Sequence, residues 1–223
     1  MVTNSSPQLE NIRERISPRL KDIDYLVLSD LRMFLQRFAT GTALRVLDYG
    51  AGNSPYACLF PEADYRRADY LDFGEIDYRV DADSKLGIPD CTFDLVLSTQ
   101  VAEHLPNPSS YFREAFRVLK QGGRMVVTTH GVWEDHGVPF DFQRWTANGL
   151  ARDLESVGFL VKGMFKLTTE ERFYAFLMLR WLQHGGLGRW SLFNKVARRA
   201  CRLLAGLLRP PIHLLADRLW GDC

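Results

Sequence analysis

The chain has 223 residues, enough for one α/β domain with an appendage or for two small domains. An apolar fraction of 46% allows a sizeable core, and a net charge of +1 gives no reason to expect a nucleic acid or another polyanion as partner. No run reaches the roughly 18 apolar residues of a membrane span. The polar opening M-V-T-N-S-S-P-Q-L-E-N is no signal peptide, and Cys58, Cys91, Cys201 and Cys223 show no metal-ligand spacing, so a reducing, cytoplasmic setting is expected.

Residues 1–21 are polar. From Asp22 to Phe38 the apolar residues Tyr25, Leu26, Leu28, Leu31, Phe34, Leu35 and Phe38 recur at helical spacing, and Thr40-Gly41-Thr42 closes that helix. Leu44–Tyr49 is an apolar, β-branched run ending in a glycine turn. Tyr65–Asp69 and Asp77–Asp81 read as short strands, and Phe93–Ser98 as a buried one. Tyr111–Lys120 reads as a helix stopped by Gln121-Gly122-Gly123, followed by a buried strand over Arg124–Thr129. Thr146 caps a helix running to Val157, and Phe159–Leu167 is one more strand candidate. Apolar strands without alternation, interleaved with helices, predict a doubly wound, mostly parallel sheet covered on both faces. That domain is expected over 22–168, with a tail over 169–223.

In such a sheet ligands sit beyond the carboxyl ends of the strands, where the strand order reverses. Gly50 and Gly52 follow the first strand and permit positive φ and close approach. Asp48 ends the strand with a carboxylate, and Asp69 follows 21 residues later, the spacing of an acid that accepts from ribose hydroxyls. An adenosine-type ligand is indicated. A dinucleotide is disfavoured, because Pro55 replaces the third glycine of G-x-G-x-x-G and Asp48 would repel a pyrophosphate. No G-K-[S/T] is present for a P-loop.

D-Y-G-A-G over Asp48–Gly52 resembles the D-x-G-x-G signature of class I S-adenosylmethionine-dependent methyltransferases. Tyr65–Asp69, Val80–Asp83 with Leu86–Pro89, Phe93–Leu105 and Arg117–Val127 resemble the family's further motifs, in its order. Gly52-Asn53-Ser54-Pro55-Tyr56, with the H-G-x-W and D-F-x-R-W-T segments after the fifth strand, resembles a subgroup associated with bacterial surface-glycan pathways. The resemblance implies a seven-stranded, Rossmann-like sheet and S-adenosyl-L-methionine as cofactor. Ala51 stands where many members have Cys or Ser. The family usually ends in an antiparallel strand, and no good candidate follows Leu167.

The resemblance also implies roles. Asp48, Gly50 and Gly52 hold the amino-acid end of the methyl donor and Asp69 its ribose. Asp81 and Ala82 face adenine, with Asp83 as competitor, and Gln100 lies against the methionine part. His104 or His130 is the general base for a hydroxyl acceptor. Glu103, Trp133, His136, Asp141 and Trp145 are candidates for contact with a small-molecule acceptor. His130, Asp135, His136 and Asp141 have ligand-type side chains but no H-x-x-x-H pair, so no metal is expected.

The expected function is methyl transfer to a small molecule, such as a sugar hydroxyl of a glycan or lipid-linked glycan. The alternatives are a quinone-type ring methyltransferase and a non-catalytic donor-binding module. In the tail, Leu192, Phe193, Val196, Ala197, Ala200, Cys201, Leu204, Leu207 and Leu208 recur at helical spacing opposite Lys195, Arg198, Arg199, Arg202 and Arg209. Pro210-Pro211 is expected to break this helix before a second one over Ile212–Trp220. A basic amphipathic helix over 190–220 can lie on the inner face of a membrane, pack on the domain, or close a dimer.

Overall fold

A computed structural model describes residues 7–39, 44–71, 76–136, 140–184 and 194–220. The expected Thr40–Thr42 stop and Trp190–Phe193, the start of the tail stripe, lie outside these. The chain divides into two compact units: one holds Thr40–Phe165, the other the residues up to Ala39 and from Lys166 on.

The first unit is built on a five-stranded sheet in the order β3-β2-β1-β4-β5, parallel throughout. Its strands are β1 (Arg45–Tyr49), β2 (Asp64–Asp69), β3 (Tyr78–Arg79), β4 (Phe93–Thr99) and β5 (Leu119–Thr128). β1 lies between β2 and β4, with Val46 opposite both Tyr65 and Leu95. The chain leaves β1 toward one edge and returns on its other side as β4, so the Asp48–Gly52 turn sits where the order reverses.

Helix α3 (Pro108–Val118) begins three residues earlier than its periodicity predicts, because the Asn107 side chain accepts from Ser110 N and Pro108 fits the first turn. Helix α4 (Ala147–Glu155) starts as expected, with the Thr146 hydroxyl accepting from Gly149 N. The Gln121–Gly123 turn survives as an irregularity inside β5, between the pairs Phe93↔Leu119 and Leu95↔Arg124, with Gly122 at φ +76°. Leu47, Tyr49, Phe93, Val96, Phe112, Ala115 and Val118 form the core between sheet and helices.

Two expectations need correction here. The described residues contain five strands rather than the family's seven. Residues 159–166 carry no strand: Phe159 and Val161 touch the core, but Leu160 and Phe165 are exposed, so the run lacks the two-sided burial of an inner strand.

The second unit is helical, with α1 (Pro7–Ile16), α2 (Tyr25–Gln36), α5 (Glu170–Gln183) and α6 (Asn194–Trp220). Helix α2 thus groups with the tail and not with the sheet. Buried Arg172 of α5 ties the group together, donating to Asp30 of α2 and to Asp217 of α6, each at 2.8 Å. Tyr25 also donates to Asp217.

Helix α6 runs 27 residues without a break through Pro210 and Pro211, which corrects the expected division there. Each proline removes one helical N–H, but tertiary bonds hold both flanks. Arg209 donates to the Lys21 carbonyl and to Gln183, and His213 Nδ1 lies 2.9 Å from the Leu20 carbonyl.

Candidate active site

The cofactor side begins where β1 ends. Gly50 takes φ +79°, and a Cβ there would lie 2.5 Å from Val101 Cγ2, so the position is closed to a side chain on both counts. Gly52, at φ +53°, opens the other way: a Cβ would meet nothing within 4 Å. The turn is therefore backed by Val101 and bare on its outer side, as a cradle for a ligand must be.

Asp69, at the end of β2, holds this cradle. One carboxylate oxygen accepts from Gly52 N and the other from Leu71 N, each at 2.8 Å. Carboxylate oxygens have further lone pairs, so hydroxyls can be added to these bonds. Asp48 is buried and accepts from the Tyr65 hydroxyl at 2.7 Å. Its burial, with the nearby Asp69 charge, pushes its pKa up to about 7 against the Tyr65 hydrogen bond. A cation brought to this buried carboxylate would favour its ionised form.

Asp81 is exposed and accepts from Asp83 N and Lys85 N, so it organises the turn after β3; Ala82 is exposed beside it. Gln100 leaves β4 at φ +56°, its N–H donating to the Thr128 carbonyl of β5. Buried Tyr111 donates its hydroxyl proton to the Tyr49 carbonyl at 2.6 Å and accepts from the Ser98 hydroxyl at 2.8 Å, locking the ends of β1 and β4 together.

The other side of the site gathers at the ends of β4 and β5. Glu103, on a single 3-10 turn over Ala102–His104, is fully buried. Its Oε2 accepts from Thr129 at 2.9 Å; its Oε1 has no hydrogen-bond partner and lies 3.4 Å from His130 Nε2. The His130 ring stacks on Trp133 at 4.2 Å between centroids. His136 meets His130 edge-on at 5.4 Å and His104 at 4.9 Å.

His104 Nδ1 lies 2.5 Å from the Phe140 carbonyl, which can only accept. Nδ1 is therefore the donor, and in the neutral ring the lone pair lies on Nε2. Asp141 accepts from His136 N at 3.0 Å and is clamped by Nη1 and Nη2 of Arg144, which hold its carboxyl well below the usual range.

Glu103, His104, His130, Trp133, His136 and Asp141 are thus brought together. Trp145 is engaged elsewhere: its indole N–H donates to Asp153 of α4. One donor atom each from Glu103, His130 and His136 lie within 4.8 Å of one another. The ligand-type set weighed from the sequence included both histidines but not Glu103. Sequence reading also missed Tyr65, Thr129 and Arg144. Two of them left a signal: Tyr65 opens the Tyr65–Asp69 motif, and Arg144 stands three residues after Asp141.

A bare glycine turn at the strand-order reversal, with an acid at the end of the next strand, defines a site for an adenosine-type cofactor in a class I methyltransferase fold. Residues 41–127 match the methyltransferase domain family Methyltransf_11. Over that segment the chain is similar to methyltransferase domains.

Over 168 residues the chain is 31% identical to a Mycolicibacterium smegmatis protein named "Probable S-adenosylmethionine-dependent methyltransferase", covering 67% of this chain and 65% of that one. Over 102 residues it is 31% identical to the 2-methyl-6-phytyl-1,4-hydroquinone methyltransferase of Synechocystis, covering 39% of this chain and 32% of that one. The chain thus spans less than two thirds of either relative. Among solved structures it resembles the cyclase SpnF, with a TM-score of 0.57 at 17% identity, covering 100% of this chain and 94% of that one. A cyclase on this fold means that chemistry must be argued from the site.

Proposed function

We propose that the protein transfers a methyl group from S-adenosylmethionine to a hydroxyl of a small polar acceptor, a sugar hydroxyl of a glycan or lipid-linked glycan. The observation that supports this most is the meeting of buried Glu103 with three histidine rings, one of them with a free Nε2, beside the cofactor cradle. Proton removal is what a hydroxyl nucleophile needs and a carbon nucleophile needs less.

S-adenosylmethionine supplies an activated methyl on a sulfonium, which leaves the protein to align the partners, exclude water and take up one proton. Asp48 and the Gly50–Gly52 backbone hold the ammonium and carboxylate end, and Asp69 the ribose. Asp81 and Ala82 border the adenine, and Gln100 the methionine chain. His104 Nε2 would take up the acceptor hydroxyl's proton, while bound S-adenosylmethionine would supply the methyl group. Trp133, Phe140 and Phe142 offer flat faces for a sugar ring, with Asp141 and Arg144 as polar neighbours.

The Synechocystis relative favours a second reading, methylation of a hydroquinone ring. One experiment tests both. S-adenosylhomocysteine is titrated calorimetrically, with NADH as control, and tritiated methyl transfer is then followed into oligosaccharides, lipid-linked saccharides and hydroquinones. Turnover of a saccharide that His104→Ala abolishes, with cofactor binding intact, supports the first reading. Turnover only of a hydroquinone overturns it.

The reading extends to location. Tyr174, Leu177, Met178 and Trp181 form an exposed stripe on α5, and Leu203, Leu204 and Leu207 are exposed on α6 beside the exposed Arg199 and Arg202. The face of α6 that is buried carries Ala205, His213 and Ala216 instead. No helix among the described residues is long and apolar enough to cross a membrane. Leucines and a tryptophan flanked by arginines suit the surface of an anionic membrane. Sedimentation with phosphatidylglycerol vesicles but not phosphatidylcholine vesicles, lost in Leu204→Glu/Leu207→Glu, is expected. A dimer that leaves vesicles alone would refute it.

A further inference from the structure

The Glu103 carboxylate poses a problem that hydrogen bonding does not solve. It is fully buried, Thr129 satisfies one oxygen, and Oε1 has no hydrogen-bond partner. A buried ionised carboxylate is costly unless a cation compensates it. His130 Nε2 stands 3.4 Å away, longer than a good N–H···O bond. That separation is nonetheless what two donors adopt on one tetrahedral ion with bonds of ~2.0–2.2 Å, since such donors stand ~3.4 Å apart.

His136 supplies the third donor. All three donor atoms lie within 4.8 Å of one another, so closing the set onto one ion contracts its widest pair by about 1.4 Å at most. His136 Nδ1 faces the Glu134 carbonyl at 3.3 Å and Asp141 Oδ2 at 3.4 Å, with Arg144 Nη2 also at 3.4 Å. A carbonyl and a carboxylate against one ring nitrogen are the outer partners that orient a metal-bound histidine through its other nitrogen. Arg144 fixes Asp141 in that place.

We infer that Glu103, His130 and His136 bind a divalent first-row transition ion of the zinc class. Two imidazoles and one carboxylate are the donor set of an open site with room for a fourth ligand. Binding itself is independent of the methyl-transfer reading. The ion's role does rest on it: held by these three residues, it would supply Lewis-acid stabilisation to an acceptor oxygen at the fourth position, while His104 Nε2 would take the proton.

The test uses the full chain, stripped with EDTA and passed into metal-free buffer. Zn2+ is titrated against a chromophoric chelator, Co2+ binding is followed by its visible spectrum, and S-adenosylhomocysteine binding is measured on the same samples. One Zn2+ per chain at submicromolar Kd is expected. The Co2+ bands should lack thiolate charge transfer, which excludes the exposed Cys58 and Cys91 as ligands. Glu103→Gln and His136→Ala should each weaken Zn2+ at least tenfold and His184→Ala should not.

His136 is partly exposed on a loop, so its variant still reports if the buried Glu103→Gln fails to fold. No Zn2+ binding, or binding indifferent to both variants, overturns the inference and leaves a Glu103–His130 ion pair. Zn2+ binding without S-adenosylhomocysteine binding supports the metal site and overturns the cofactor reading instead.

Discussion

Asp48 makes cofactor binding sensitive to pH in a calculable way. Desolvation, with the Asp69 charge beside it, raises its pKa to about 7. For a carboxylate the sign is that the free protein holds a proton on Asp48 that the unfolded chain has already lost above pH ~4. This group's contribution to the free protein's stability therefore declines as pH rises from ~4 to 7. A ligand ammonium placed on Asp48 favours the ionised form and expels that proton. At pH 6.5 about three quarters of the free molecules carry it, and at pH 8 about a tenth, so binding should release ~0.75 and ~0.1 proton respectively. Affinity should correspondingly weaken by roughly tenfold between pH 8 and pH 6. Calorimetric titration with S-adenosylhomocysteine in two buffers of different ionisation enthalpy measures the proton count directly. Asp48→Asn should abolish the release and weaken binding. Tyr65→Phe removes a donor that lowers the pKa, so it should carry the release to higher pH. An unchanged proton count in Asp48→Asn would refute the placement of the ammonium on Asp48.

Gly50→Ala combines a positive φ with a Cβ 2.5 Å from Val101, so it should cost ~2 kcal/mol or more of stability and at least tenfold in S-adenosylhomocysteine affinity; thermal melts and calorimetry read the two. Arg172→Ala leaves Asp30 without its guanidinium in a buried site and should destabilise the protein by about 3 kcal/mol in urea unfolding. Burial lowers the His213 pKa to about 4. The unfolded chain therefore binds a proton there that the folded chain refuses between pH 6.5 and 4, and stability falls as pH drops through that window. His213→Gln should flatten the fall, as measured by urea midpoints at pH 7 and 4.5.

β1 and β4 were legible because buried parallel strands are written as contiguous apolar runs, Val46–Leu47 and Leu95–Leu97 among them. The partnership of α2 with α5 and α6 was not. It rests on Arg172 reaching Asp30, 142 residues away, and a charged side chain in a helix ordinarily reads as solvent-facing. The passage of α6 through two prolines was hidden for the same reason: the bonds from Arg209 and His213 that hold it reach residues more than 180 positions earlier.

The two halves of the site differed in the same sense. Asp48, Gly50 and Gly52 sit within five residues, so local spacing sufficed to find the cradle. Glu103 and His130 are 27 residues apart, and although the motif made Glu103 a candidate for acceptor contact, nothing local to E-H-L-P says that it meets His130. Yet β4 and β5 are parallel neighbours with Thr99 opposite Thr128, and parallel neighbours deliver the residues after both strands to one edge of the sheet. Once two buried runs are assigned as adjacent parallel strands, polar residues just past each carboxyl end belong in one list. On that rule Glu103 joins His130 and His136 from sequence alone. The full burial of Glu103 is what only the folded chain reveals.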